Sequence, residues 1–504
     1  MRLKRVIVIG AGVGGLVSAL MLAARGCEVI VLEAGDTVGG KIAEVHVGGS
    51  AIDCGPTVFT MRYVFDDILD EIGLSLDQEL SLHPADVLAR HAWGPEGHFD
   101  LMADRAAAIE AVGDFFGARE AAAYKGFCAS AKAIHDAVAA TFIKGERPSR
   151  LSVPFRVGLS GGVAMLRERA FASLWSTLSD HFSDPRLRQL FGRYATYCGS
   201  SPFLAPAILM LVAHVEQEGV WLVNGGMIEV ARMLARLAEA QGASIRLEAR
   251  VSTIVAERGQ VSGVVLACGE RLDADAVIFN GDVAALGDGL LGAAATRSVD
   301  PVPPSARSLS AVTWSFGAKT NGFPLARHTV FFGSDYPQEF EAIFKAGQLP
   351  KDPTVYVCAP DRDASGRLKT ELDQSERLFC LINAPAVGDG RTFTEQEIDP
   401  CRKAMFALMR RCGLEIDVNP LEMATATPTT FNTRFPGTGG ALYGRSNHRL
   451  NASFDRPGAR TRLPGLYLAG GSIHPGPGVP MAALSGRQAA RALLKDFVST
   501  RRFR

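Results

Sequence analysis

Four glycines near the start of the chain are spaced for chemistry that side chains would obstruct. Gly10, Gly12, Gly14 and Gly15 lie between a β-branched run, Val6-Ile7-Val8-Ile9, and a segment with helical periodicity at Leu16, Ala19, Leu20 and Ala23. In Gly10-x-Gly12-x-x-Gly15 the first glycine can make a tight turn and the second can admit the backbone to a pyrophosphate. The third lets helix and strand pack closely, and the phosphate meets the positive end of the helix. Glu33 ends the next apolar run, Glu28 to Glu33, where a carboxylate can accept hydrogen bonds from ribose hydroxyls and repel a 2′-phosphate. The glycines alone are also compatible with a plain turn. With the strands, the helix and Glu33 they point to a dinucleotide site.

Other reactive groups are scattered. Nine cysteines show no C-x-x-C spacing and ten histidines no H-E-x-x-H pattern, so a reduced, intracellular protein without a metal is expected. With 53 basic and 53 acidic residues, nucleic acid is not an expected partner.

The elements that must position these residues can be read coarsely. At 504 residues the chain exceeds one core, and two lobes are expected. The run Val6 to Ala24 is uncharged and superficially like a signal or span, but its glycines favour strand, turn and helix. Residues 1–104 are read as the first nucleotide-binding segment and 105–215 as a helical lobe facing substrate or membrane. The nucleotide domain resumes over 216–304, with a helix from Met227 to about Gln241 and strands near Ile245, Val251, Val261 to Ala267 and Ala276 to Phe279. Residues 305–460 carry the period-two strands of a substrate sheet, such as Val312 to Phe316, Thr354 to Cys358 and Leu378 to Ile382, and 461–504 complete the nucleotide domain with a helix from about Pro480. The fold class expected is α/β, a Rossmann-like domain with a discontinuous α+β substrate domain.

Three further segments sharpen the chemistry: Gly39-Gly40-Lys41, Ile52-Asp53-Cys54-Gly55-Pro56-Thr57, and Leu468 to Met481 with Gly470 and Gly471. Small residues in the last would let backbone approach a flat ring, and N–H groups at a helix start near Pro480 and Met481 could stabilise negative charge. These segments resemble the double-glycine and closing flavin motifs of the amine oxidase and phytoene desaturase superfamily. The resemblance implies FAD, with Lys41 near the pyrophosphate, Gly55 and Pro56 beside the flavin, and Val251 among the cofactor contacts. Phe331 to Tyr336 and Asp352 to Pro360 resemble bacterial carotenoid desaturases. Thr57 to Phe65, Ala89 to Trp93 and Phe435 to Gly444 are more specifically similar to the 1-hydroxycarotenoid 3,4-desaturases.

That resemblance implies hydride loss from an acyclic 1-hydroxy or 1-methoxy carotenoid to FAD, with a proton leaving the neighbouring carbon. Arg62, Arg434 and His474 are the polar candidates beside the flavin, each equally compatible with a structural role. A phytoene desaturase, a redox-neutral carotenoid isomerase and a lipid-binding escort are the alternatives. Leu204 to Ala213 could line a substrate tunnel or belong to the core. Because such a substrate lives in a bilayer, the chain is expected in the cytoplasm, peripheral on the inner face of a bacterial membrane, docking on lipid through Leu151 to Phe182.

Overall fold

The first strand, β1 (Arg5–Ile9), has Val6, Ile7 and Val8 fully buried, so both of its faces are covered. Alternation divides them: Val6 and Val8 join the core beneath the helices, Ile7 and Ile9 the core on the opposite face. The computed structural model describes residues 4–148, 153–369, 375–419, 422–448 and 452–501. A helix, α1 (Val13–Ala23), follows β1 and leads into β2 (Glu28–Leu32), which pairs with β1 in parallel. Every residue of α1 is buried, which is why the sequence reads as a continuous apolar run there.

Five parallel strands build the nucleotide sheet in the order Ser244–Arg246, β2, β1, Ala276–Phe279, Leu466–Leu468. They come from the two ends of the chain and from its middle. Helices Ile228–Ala240 and Val479–Arg501 pack on α1. The approach of the last is close: a Cβ at Gly486 would sit 2.2 Å from the carbonyl oxygen of Gly14.

The second sheet has eight strands; its longest, Ser310–Gly322, lies next to one edge and pairs antiparallel with Glu376–Ala384 on one side and with Leu414–Asp417 and Met423–Ala426 on the other. Val87–Ala92 and His98–Met102 extend this sheet, through a parallel pairing of Val87–Ala92 with His328–Phe331. These two strands fall within 1–104, the stretch read as nucleotide-binding, and so correct that boundary. Their alternating pattern carries no mark of which sheet they join, because the partner lies more than 200 residues away in sequence. Likewise Val220–Val223 pairs with Phe59–Thr60 and Leu82–Pro84 in a small separate sheet.

The helical lobe, chiefly Arg105–Phe116, Ala118–Val138, Val153–Arg167, Leu174–His181 and Pro185–Gly192, shares a core with Leu88, Phe99, Leu101 and Val330 of the eight-stranded sheet. Its core is aromatic, with Phe127, Phe182 and Phe191 within 4.5–5.3 Å of one another by ring centres. Leu204 to Ala213 is not one helix: a short turn, Ala207–Met210, precedes Leu211–Gln217. Among the described residues, no helix is long and apolar enough to cross a membrane.

Candidate active site

One cavity of about 1820 Å³ runs from the β1–α1 turn to the helical lobe. It exceeds the roughly 300–1,000 Å³ of a pocket for one drug-sized ligand. Its size suits a dinucleotide and a long apolar chain together.

The nucleotide end is made largely of backbone. Gly10 turns at φ +97°, and a Cβ on Gly15 would lie 2.1 Å from the Gly10 carbonyl oxygen. Gly15 itself does not line the cavity; it permits the packing that holds Gly10, Gly12 and Gly14 on the wall. A Cβ on Gly14 would approach the Gly470 nitrogen at 2.8 Å, so that pair of glycines joins the two ends of the chain. Gly39 (φ +118°) donates its N–H to the Ala11 carbonyl and bridges to Gly12, and a Cβ on Gly40 would touch the Gly12 Cα at 3.2 Å.

Glu33 lies at the same end, its carboxylate accepting from the backbone N–H of Ala11 (2.7 Å) and of Gly35 (2.8 Å). Those bonds fix the side chain and leave further lone pairs for a ribose. Lys41 donates to the Leu442 carbonyl and lies 5.3 Å from the Phe435 ring centre; burial pushes its pKa down. Gly55 sits so close to the Lys41 carbonyl that a Cβ would come within 1.9 Å of its oxygen. Gly55, Pro56, Val251, Gly470, Gly471, Pro480 and Met481 all line the cavity.

These residues fit FAD on structural grounds. Helix α1 begins at Val13 behind Gly12, with no side-chain cap and no acidic residue in its first turn, so its leading N–H groups are open to a phosphate. The final helix begins at Val479 behind Gly478 (φ +116°), and presents its first N–H groups to the same cavity.

The three candidate polar side chains fare differently. Arg434 lines the cavity and donates to the Gly40 carbonyl at 3.2 Å. Arg62 does not reach it: standing just before helix Tyr63–Asp70, its guanidinium is paired with Asp66 and Asp77 at 3.3 and 2.6 Å. His474 points away too. The residue is 1% exposed, its ring edge-on to Phe142, with Nε2 3.1 Å from the Gly145 carbonyl. Burial lowers its pKa to about 4, so the neutral ring donates there and ties the closing glycine segment to the helical lobe.

Several wall residues carry no signal in the sequence. Arg456, 1% exposed, donates to the carbonyls of Gly471, Tyr443 and Arg445, and its burial lowers its pKa to about 10. Asn280 Nδ2 donates to the Gly10 carbonyl at 3.2 Å. At the far end, Ile208, Leu209, Leu211 and Val212 face the cavity from the segment read as tunnel or core, while Phe203 packs on Trp175 instead. Tyr356 and Tyr336 arrive from the eight-stranded sheet and its flanking helix. Three residues without metal-ligand spacing, His135, Asp136 and His214, also come together, with potential ligand atoms within 4.8 Å, although Asp136 is held by Lys132 at 2.6 Å.

Comparison with known proteins agrees with this geometry. Residues 13–323 match the family described as flavin containing amine oxidoreductase. The chain is 51% identical to a hydroxyneurosporene desaturase of Rubrivivax gelatinosus, over 100% of this chain and 96% of the relative. It is 44% identical to the hydroxyneurosporene desaturase of Cereibacter sphaeroides, over 99% of each. Putrescine oxidase bound to putrescine shares the fold, with a TM-score of 0.59 at 16% identity, over 98% of this chain and 99% of that structure. The chain therefore belongs to the flavin containing amine oxidoreductases and, among them, to the carotenoid desaturases, which are FAD-dependent oxidoreductases.

Proposed function

We propose that this protein introduces the 3,4 double bond into an acyclic carotenoid bearing a 1-hydroxy or 1-methoxy end. The observation that carries the reading is one cavity of about 1820 Å³, which joins a backbone cradle for a dinucleotide to a space walled by apolar side chains of the helical lobe. Relatives described as hydroxyneurosporene desaturases support it by name, and a 1-hydroxycarotenoid 3,4-desaturase of a Flavobacterium is 29% identical over 96% of this chain.

Desaturation takes one hydrogen from carbon with its electron pair and the adjacent one as a proton, leaving the C–C pair doubly bonded. Bound FAD supplies the acceptor for that hydride. The chain's part is to hold the polyene in line and dry. Ile208, Leu209, Val212 and Val215 supply an apolar wall, so that positive charge developing on the polyene is not trapped by water. Delocalisation along the polyene reduces the need for a strong base, and the cradle's Lys41, Arg434 and Arg456 favour negative charge at the nucleotide end.

The cavity's rim supports substrate entry from a membrane. Val163, Leu166 and Phe171 line the cavity yet are 63%, 71% and 47% exposed. Arg167 and Arg169 stand exposed beside them, which suits contact with anionic lipid. Of the wider docking segment, Arg150 and Leu151 and the side chains of Phe155, Arg156, Val157 and Leu159 lie outside the described residues.

The test is anaerobic incubation of the FAD-loaded protein with 1-hydroxyneurosporene, its parent hydrocarbon and phytoene. Loss of two hydrogens by mass with a red-shifted spectrum, for the hydroxylated chain above the others, is the expected result. Equal turnover of phytoene would reassign the substrate, and a spectral shift without mass loss would indicate isomerisation.

A further inference from the structure

Two buried arginines line the cavity, and they are used differently. Arg456 spends its donors on three backbone carbonyls. Arg193, in the turn Arg193–Cys198, is 9% exposed, and its guanidinium has one hydrogen-bond partner among the described residues, the Tyr197 hydroxyl at 2.9 Å. A guanidinium carries five N–H donors, and buried donors without acceptors are costly. The unused ones are not sealed in protein, since no Arg193 atom is among the buried polar atoms lacking a partner, and the residue is part of the cavity wall. They await an acceptor that enters with a ligand.

The surroundings specify what that acceptor is. Tyr197 passes its own hydrogen to Glu216 at 2.9 Å, and Tyr194 donates to the other carboxylate oxygen at 2.5 Å. Arg193 is thus charge-balanced by Glu216 through one hydroxyl, so an anion is not required and a neutral oxygen suffices. The guanidinium carbon also lies 5.0 Å from the Tyr197 ring centre and 5.5 Å from that of Tyr356, within reach of both ring faces.

Position adds the rest. The Tyr356 hydroxyl lies 2.5 Å from Thr57 Oγ1, and Thr57 continues the Gly55-Pro56 segment on the nucleotide side of the cavity. The oxygen-bearing end must bind near that side if the 3,4 bond is the one oxidised. Only three bonds of about 1.5 Å separate a C1 oxygen from C3.

We infer that Arg193 is the binding site for the hydroxyl or methoxyl oxygen on C1 of the substrate, with Tyr197 and Glu216 as positioning residues. The inference rests on the proposed 1-oxygenated substrate. It gives the selectivity a physical source, because an apolar tunnel discriminates poorly among polyenes, whereas a site built to bond a hydroxyl can reject the analogue lacking it by about 10⁴.

The experiment compares wild type, Arg193→Leu, Glu216→Gln and Tyr197→Phe, each loaded with FAD and checked for flavin content and melting temperature. kcat and KM are measured for 1-hydroxyneurosporene and for its parent hydrocarbon. We expect Arg193→Leu to lose at least about 100-fold in kcat/KM for the hydroxylated chain, while the hydrocarbon is unchanged or improved. Tyr197→Phe and Glu216→Gln should raise KM for the hydroxylated chain alone. If Arg193→Leu binds flavin and keeps the wild-type preference, the inference is overturned. Should Arg193→Leu fail to fold, unchanged preference in both Tyr197→Phe and Glu216→Gln overturns it instead. If wild type itself shows no preference, the substrate reading has failed, which is a distinguishable result.

Discussion

The two ends of the cavity are built on opposite principles. At the nucleotide end the wall is main chain, brought together by glycines from positions 10, 39 and 470 that no side chain could replace. At the other end the wall is side chain, with Arg193, Leu209, Glu216 and Tyr356 delivered by elements of the helical lobe and the eight-stranded sheet. A backbone wall is fixed by the fold and recognises what all dinucleotides share. A side-chain wall can be recut by single substitutions while the fold stands, so it is where relatives of one flavin fold diverge in substrate.

The largest effects should fall on the backbone end. A Cβ at Gly15 would lie 2.1 Å from a carbonyl oxygen that cannot withdraw, so Gly15→Val is expected to abolish accumulation of folded flavoprotein. A Cβ at Gly12 meets only the Asn280 amide, at 2.9 Å, so Gly12→Val should fold while losing most of its flavin. Substitutions at Arg193 or Tyr197 should leave flavin content intact. Flavin retained in Gly12→Val, or lost in Tyr197→Phe, would erase the distinction between the two ends.

This division also explains what the sequence disclosed. Gly10, Gly12 and Glu33 fall within one β-α-β unit and Gly470 within the glycine-rich closing segment, because a main-chain site needs particular residues at particular spacings. Arg193, Glu216 and Arg456 carry no such spacing: an arginine and a glutamate 23 residues apart meet only because a turn and a helix pack side by side. Arg62 misled for the same reason. It neighbours the Gly55-Pro56-Thr57 segment in sequence, but its guanidinium was committed to Asp66, one helical turn on, and to Asp77.

A smaller effect sharpens the comparison at the cavity's rim. Val163→Asp with Leu166→Asp removes two exposed apolar groups, each worth about 1.5–3 kcal/mol when fully buried. Partial insertion at a lipid surface should bring a roughly tenfold drop in liposome flotation. Turnover of detergent-dispersed substrate should fall less than turnover from liposomes. Equal losses in both would assign these residues to the tunnel wall and not to membrane contact.

The smallest effect concerns proton balance near the side-chain end. Glu339, 2% exposed, accepts from the Thr354 N–H, the Thr354 hydroxyl and Asn383, at 2.7–3.1 Å. Burial outweighs those donors and, with Asp352 nearby, raises its pKa to about 7. A carboxyl with a raised folded pKa holds more protons folded than unfolded between about pH 4.5 and 7, so its contribution to stability falls as pH rises through that window. The buried histidines His91, His328 and His474 and the half-buried His448 act in the opposite direction. Burial lowers their pKa values to about 3 or 4, so their contribution is lost as pH falls below about 6.5. The two slopes overlap, and only the difference between wild type and Glu339→Gln separates them. Urea midpoints should therefore show Glu339→Gln gaining on wild type as pH rises from 4.5 to 7, by at most about 1.4 kcal/mol per pH unit, and no further above it. Because Thr354 and Asn383 line the cavity while Glu339 stands behind them, flavin content should not change. A difference independent of pH would mean that the carboxyl is ionised throughout, and that its three donors outweigh its burial.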